Sequence, residues 1–453
     1  MMARPSGSKR HSAGLSEARC VPSTARDSSG ISVICVWNIL AECFVHLGEA
    51  ARTTVVYSTA EESMGQFVAE GRKYHLDWLR VLAFGLLIPF HVGMLYNSWS
   101  YPLKSPRLVP ELDWLLMLST PWRLALVFLI SGVASRFLST KLGPGPFARD
   151  RVRRLLPVIL FGMLVVNAPQ TWIVATANGM THSGIGEFWR AYLHNDQSVL
   201  KPPGMAMPRW DHLWFLLYLL PYALLFALWR KLRGERQMPN VPLIGLLLAP
   251  ALWLVVTSML VDRIWPGTDN VFNDWGQHLK FLGMFFTGVM LSSRADAWRW
   301  MEKCRRLSLG LCFLLGAMLL ADHALWLHNA IPSPWSWISY DVFSGLFAWG
   351  TILAGCGYAA RYLNRPSPQL SYLNTAILPV YVLHQPLLFL AAFAIFPLRL
   401  PLAVEATILI AFTMLGCLAI YHFIIRPFRI MRFSFGLRQP ISRPPASTLV
   451  NTA

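Results

Sequence analysis

The sequence predicts an all-α fold, a polytopic transmembrane helix bundle with about ten spanning helices. Three observations lead there. Of the 453 residues, 55% are hydrophobic and 14% charged, with a mean hydropathy of +0.43; so few charges do not cover the surface of a water-soluble chain of this length. The apolar residues fall in blocks of about twenty, the helix length that crosses about 30 Å of hydrocarbon, and 19 Trp suit aromatic belts at the two interfaces. Basic residues crowd alternate loops. Arg72 and Lys73, the run from Arg136 to Arg154, Arg230 to Arg236, Arg294 to Arg306, Arg361 and Arg365, and Arg426 to Arg443 fall on one side. The opposite loops hold few, such as Lys104, Arg190 and Arg263. The positive-inside bias makes the rich side cytoplasmic and predicts both termini there. The formal charge of +17 is therefore read as topology, and no nucleic-acid partner is expected.

Along the chain, residues 1–63 open Ser-, Arg- and Gly-rich and are expected to be disordered or to stem from a mis-called start codon, with Met64 the more natural start. Their apolar stretch, "ISVICVWNILAECFVHLG", is broken by Glu42 and His46 and lies too far in for a signal peptide. The membrane domain is expected over 72–432 and a disordered cytoplasmic tail over 433–453. The spans are placed at 76–97, 112–135, 154–175, 212–229, 241–261, 275–293, 307–327, 341–360, 374–396 and 402–425. The long outer loop 176–211 has the length of a functional cover. Seven Cys lack CxxC or metal-ligand spacing; Cys304, Cys312, Cys356 and Cys417 read as small hydrophobes, and no metal site is expected.

The first span carries the chemistry. In "YHLDWLRVLAFGLLIPFHVGMLYNSW", Arg80 and His91 differ by only about 20° around a helix and by about 16 Å along it. Asp77 shares their face, which must point into the bundle because charges facing lipid are costly. Pro89 is expected to bend the helix just before His91. Periodicity alone also accommodates a packed polar contact for His91 and a snorkelling or Asp77-paired Arg80. The stretch "FARDRVRRLLP" places Arg151 and Arg154 one turn apart, flanked by Arg153, at the cytoplasmic entry of the third span. Such a cluster binds phosphate through guanidinium forks and free backbone N–H groups, or simply anchors the helix. Arg123, His212 and His384, the last followed by Pro386, are further polar residues in or at the mouths of spans. GxSxG, Walker and HExxH signatures do not occur.

In order along the chain, "YHLDWLR", Arg80-x10-His91, "FLISGVASRF", Arg151-x2-Arg154 before "LLP", "HLWFLLYLL" and "YVLHQP" resemble the acyltransferase family 3 membrane proteins, from about Arg72 to Arg432. "HLWFLL", the "SW" after the first histidine, and "LHQP" are most similar to the glucan biosynthesis protein C branch. The resemblance implies a bacterial inner-membrane, multi-pass O-acyltransferase that places succinyl groups on periplasmic glucans. It implies His91 as catalytic base beside Arg80, and Arg151 and Arg154, with Arg153, as handling residues for an acyl-coenzyme A donor. No cofactor is expected to be permanently bound. An acidic residue that orients the histidine in some relatives corresponds to Glu111 or Asp113. Asp77, Arg123, His212 and His384 are secondary candidates. Expected partners are the bilayer, the carbohydrate acceptor and glucan synthesis proteins. Two other readings stand beside this one: O-acetylation of another envelope polysaccharide or lipid, and a transporter without chemistry, against which the absence of internal repeats speaks.

Overall fold

Each of the ten expected spans forms a helix, because in hydrocarbon a helix is one of the few structures that satisfy their own backbone groups. The computed structural model describes residues 73–438, apart from 202–205, 235–238, 240, 262–263, 266, 268–269 and 329–334. The expected extension 1–63, its Met64 start and the tail beyond Arg438 lie outside the described residues. In chain order the helices are α1 Tyr74–Tyr96, α2 Leu112–Leu142, α3 Pro144–Ala177, α4 Ile185–His194, α5 Asp211–Arg233, α6 Leu243–Val261, α7 Trp275–Leu291, α8 Ala295–Lys303, α9 Arg305–Leu327, α10 Trp335–Tyr362, α11 Pro368–Leu398, α12 Leu402–Ile425 and α13 Arg429–Ser434. Among the described residues, nine are long and apolar enough to cross a membrane. The tenth expected span is α7, with 17 residues. It starts at Trp275 as expected, where the side chain of buried Asp274 caps it by accepting from Gln277 N, and ends at Leu291 rather than 293.

α2 is the central element, packed against α1, α3, α5, α7 and α10. Its closest partner is α7. A Cβ built on Gly132 of α2 would collide with the Phe285 carbonyl, and one on Gly288 of α7 with the Leu129 carbonyl. The two glycines let the backbones touch, the small-residue packing by which helices associate without a hydrophobic drive.

α1 is not straight. It runs as Tyr74–Gly85 and Leu87–Tyr96, with a turn at Leu86. Pro89 has no N–H for the Gly85 carbonyl, so the ladder opens there. The break thus lies a turn earlier than the sequence reading placed it. α3 begins at Pro144 rather than 154. Gly143, at φ +82°, ends α2 in a conformation glycine adopts freely, and Pro144 starts the next helix. Residues 433–438 belong to α13 and the turn after it, where Phe435 and Leu437 are buried.

The basic loops meet at one end of the bundle. Lys73 Nζ donates to Ser292 O at 3.3 Å, His75 Nδ1 bonds Asn364 Oδ1 at 3.1 Å, and Arg154 Nε donates to Gly436 O at 3.0 Å. The start of α1 and the end of α13 therefore share that end. At the other end, Glu405 of α12 is 1% exposed. It accepts from Tyr96 Oη at 2.7 Å and pairs with Arg107 at 3.2 Å. The long loop expected to face outward packs through Phe188 and Tyr192 of α4 onto Ala168 and Ala175 of α3.

Candidate active site

Three imidazoles form a row where α1, α11 and the start of α5 meet. The rings of His91 and His384 have centroids 5.2 Å apart, and those of His384 and His212 also 5.2 Å. Backbone carbonyls set the tautomers of two of them, since only a protonated ring nitrogen donates to a carbonyl. His384 Nδ1 donates to Tyr381 O at 2.6 Å, and His212 Nε2 donates to Val382 O at 3.0 Å. The Val382 carbonyl is available because Pro386, four residues on, has no N–H to bond it. In the neutral rings, the lone pairs left over sit on His384 Nε2 and His212 Nδ1. Both atoms are buried and have no partner among the described residues.

His91 differs from the other two. It lies deep among protein atoms yet keeps some accessible surface. Its Nδ1 shares a 2.9 Å hydrogen bond with the hydroxyl of Tyr101, and the two rings stack with centroids 5.8 Å apart. Burial, with the Asp211 carboxylate adding to it, pushes the Tyr101 phenol well above its usual range, so it remains a protonated hydroxyl at any physiological pH. Asp211 is held by Arg209 Nε at 2.7 Å and by Gln170 Nε2 at 3.2 Å. Arg123 lies within electrostatic reach of His91 and His384. Among the described residues, no three His, Cys, Asp or Glu side chains are placed to ligate one metal ion.

Toward the basic end of α1, Asn374 of α11 bridges Asp77 and Arg80. Its Nδ2 donates to Asp77 Oδ1 at 3.3 Å, and Arg80 Nη1 reaches its Oδ1 at a long 3.5 Å. Arg80 and His91 therefore both face α11, as a shared helix face requires. Arg154 lies within electrostatic reach of Arg80, Arg151 and Arg438, so four guanidinium groups gather there. Arg151 is held by Asp150 at 2.6 Å, and Arg153 is exposed on the other face. Because α3 starts at Pro144, the backbone N–H groups of Arg151 and Arg154 are bonded within the helix and are not free, so any anion is bound by side chains. Between the two ends stands Phe84, in ring contact with Phe215 at 5.9 Å and Tyr381 at 5.6 Å.

Neither acidic candidate for orienting the histidine bonds His91. Glu111 is exposed at the start of α2 and bonds no described residue. Asp113 is taken up by Ser98, accepting from its backbone N at 2.9 Å and from its hydroxyl. The group bonded to His91 is Tyr101, which the sequence reading does not single out. Its signal was proximity, ten residues after His91 in a short loop. Asn374 was also missed. It precedes His384 by ten residues, nearly the spacing of Arg80 and His91 on α1.

The family profile described as an acyltransferase domain, Acyl_transf_3, matches residues 73–422. The chain is similar to the protein named "Glucans biosynthesis protein C" in Shigella dysenteriae serotype 1 (strain Sd197), at 23% identity over 71% of this chain and 84% of that one. The protein of the same name in Escherichia coli (strain SMS-3-5 / SECEC) has the same identity and coverage. No solved structure matches it.

Proposed function

This chain belongs to the acyltransferase 3 family of multi-pass membrane proteins, and from that premise we propose that it transfers a succinyl group from cytoplasmic acyl-coenzyme A to hydroxyl groups of a periplasmic glucan. The observation that carries this reading is His91: an imidazole held at Nδ1 by Tyr101, beside His384, on the helix that also leads to the guanidinium cluster. With its proton on Nδ1, donated to Tyr101 Oη, His91 presents the Nε2 lone pair as a general base. The acceptor hydroxyl gives its proton to Nε2 while its oxygen bonds the thioester carbonyl carbon. The carbon–sulfur bond then breaks, and the proton passes from His91 to the leaving sulfur. The products are an ester and free coenzyme A. A neutral imidazole suits this task because it both takes and returns the proton.

Arg80, Arg151 and Arg154 support the donor side. Coenzyme A carries several phosphate charges, and guanidinium forks bind phosphate in charge-assisted pairs. Phe84, Phe215 and Tyr381 close the space between that cluster and His91, so a donor entering from the basic end displaces these rings. The acceptor side is the outer end, where Tyr101, Asp211 and Gln170 lie. The likeness to two proteins named for glucan biosynthesis supports the acceptor class.

His91→Ala is expected to cut acyl transfer by about 10²–10⁴-fold, the usual contribution of a positioned general base. The measurement is mass spectrometry of periplasmic glucans from a strain carrying only the variant, with membrane levels of the protein checked. Glucans substituted to the wild-type extent would rule out His91 as the base.

A further inference from the structure

Arg123 projects from the middle of α2 into the bundle and is 4% exposed. Its guanidinium carbon lies 3.5 Å from the centroid of the Phe90 ring, and that ring meets His91 at 5.4 Å. Stacking on an aromatic ring satisfies the face of a guanidinium but not its N–H edge. On that edge, Nη1 donates to Ser119 Oγ at 3.3 Å. Nε is buried and has no partner, and no described carboxylate pairs with Arg123. The contrast with Glu405 is instructive: that buried charge is matched by an arginine and a tyrosine. A cation buried without an anion is costly to keep. Its unused side, Nε with Nη2, is the geometry that binds a carboxylate through two parallel hydrogen bonds.

The geometry points to Arg123 as the specificity-determining residue for the acyl group, receiving the free carboxylate of a dicarboxylic acyl chain whose thioester carbonyl lies at His91. The inference rests on the succinyl reading above and adds the residue that makes the selection. Arg123 stands beside the histidines, apart from the guanidinium cluster of the basic end, so it faces the acyl end of a donor rather than its phosphates. An acetyl group has no second carboxylate and leaves the fork unmatched. Discrimination follows because a site built for a polar partner disfavours the analogue that lacks it.

The test measures coenzyme A release by the full chain in lipid nanodiscs, with succinyl-coenzyme A and acetyl-coenzyme A as alternative donors. R123Q is expected to lower the succinyl-to-acetyl ratio of kcat/KM by about 10- to 100-fold, the effect of losing a charge-assisted bidentate contact. R123K keeps the charge without the fork and is expected to lower the ratio by about tenfold. It carries the test alone should R123Q fail to assemble. Equal losses with both donors, or an unchanged ratio in R123K, would overturn the inference and leave Arg123 a packing residue. A wild-type protein that uses acetyl and not succinyl donor sinks the succinyl reading itself. Wild-type succinyl transfer with an unchanged ratio in the variants sinks only the role of Arg123.

Discussion

Tyr101 reaches His91 from the loop between α1 and α2, and its hydroxyl is the only group bonded to that ring among the described residues. Removing it leaves the imidazole in place but free to rotate and to change tautomer. Tyr101→Phe is expected to lower kcat about tenfold, the cost of one hydrogen bond, while KM for the acyl donor stays near its wild-type value. Steady-state kinetics on the purified protein would check this, and a rise in KM with unchanged kcat would move Tyr101 to donor binding. At this scale the sequence was only partly legible. Arg80 and His91 stood out because charge in an apolar span is rare. His212 and His384 were noted singly. Their union depends on Pro386, which frees the Val382 carbonyl for His212, a contact between residues 170 positions apart that no local pattern announces.

Helix by helix, the pattern was easier to read, since length and hydropathy alone mark a span. All ten expected segments are helical, with boundaries that shift most where helix signals compete with charge. α3 runs back to Pro144 through the basic run because its apolar residues Phe147, Leu155, Val158 and Ile159 keep one face buried. The crossing of α2 and α7 was not legible. Glycine in an apolar span gives no sign of its partner, and Gly132 and Gly288 acquire meaning only when the two helices touch. Gly288→Ala is expected to destabilise the protein by about 1–3 kcal/mol through overpacking against backbone that has no rotamer to yield. Thermal unfolding in detergent would report it as a lowered midpoint, and an unchanged midpoint would show that α7 moves aside at no cost.

For the molecule as a whole, the basic loops gather at one end, together with the start of α1 and the end of α13. We propose that this end is cytoplasmic, from the excess of Lys and Arg there. A reporter that fluoresces only in the cytoplasm, fused after Ala453, is expected to light up, whereas alkaline phosphatase at the same position is expected to stay inactive. The reverse pattern would invert the molecule and put the guanidinium cluster on the wrong side for a cytoplasmic donor. The family was recognisable because its motifs lie in order along a chain of otherwise generic spans. The site was less so, because it is assembled from α1, α2, α5, α11 and a loop.

The brevity of α7 has a consequence for the surrounding lipid. Its 17 residues rise about 25 Å, against about 30 Å of hydrocarbon. Trp275 and Leu279, its exposed residues, both stand at its N-terminal end. Where that end meets lipid, a bilayer with a thinner hydrocarbon core is expected to match it at less elastic cost.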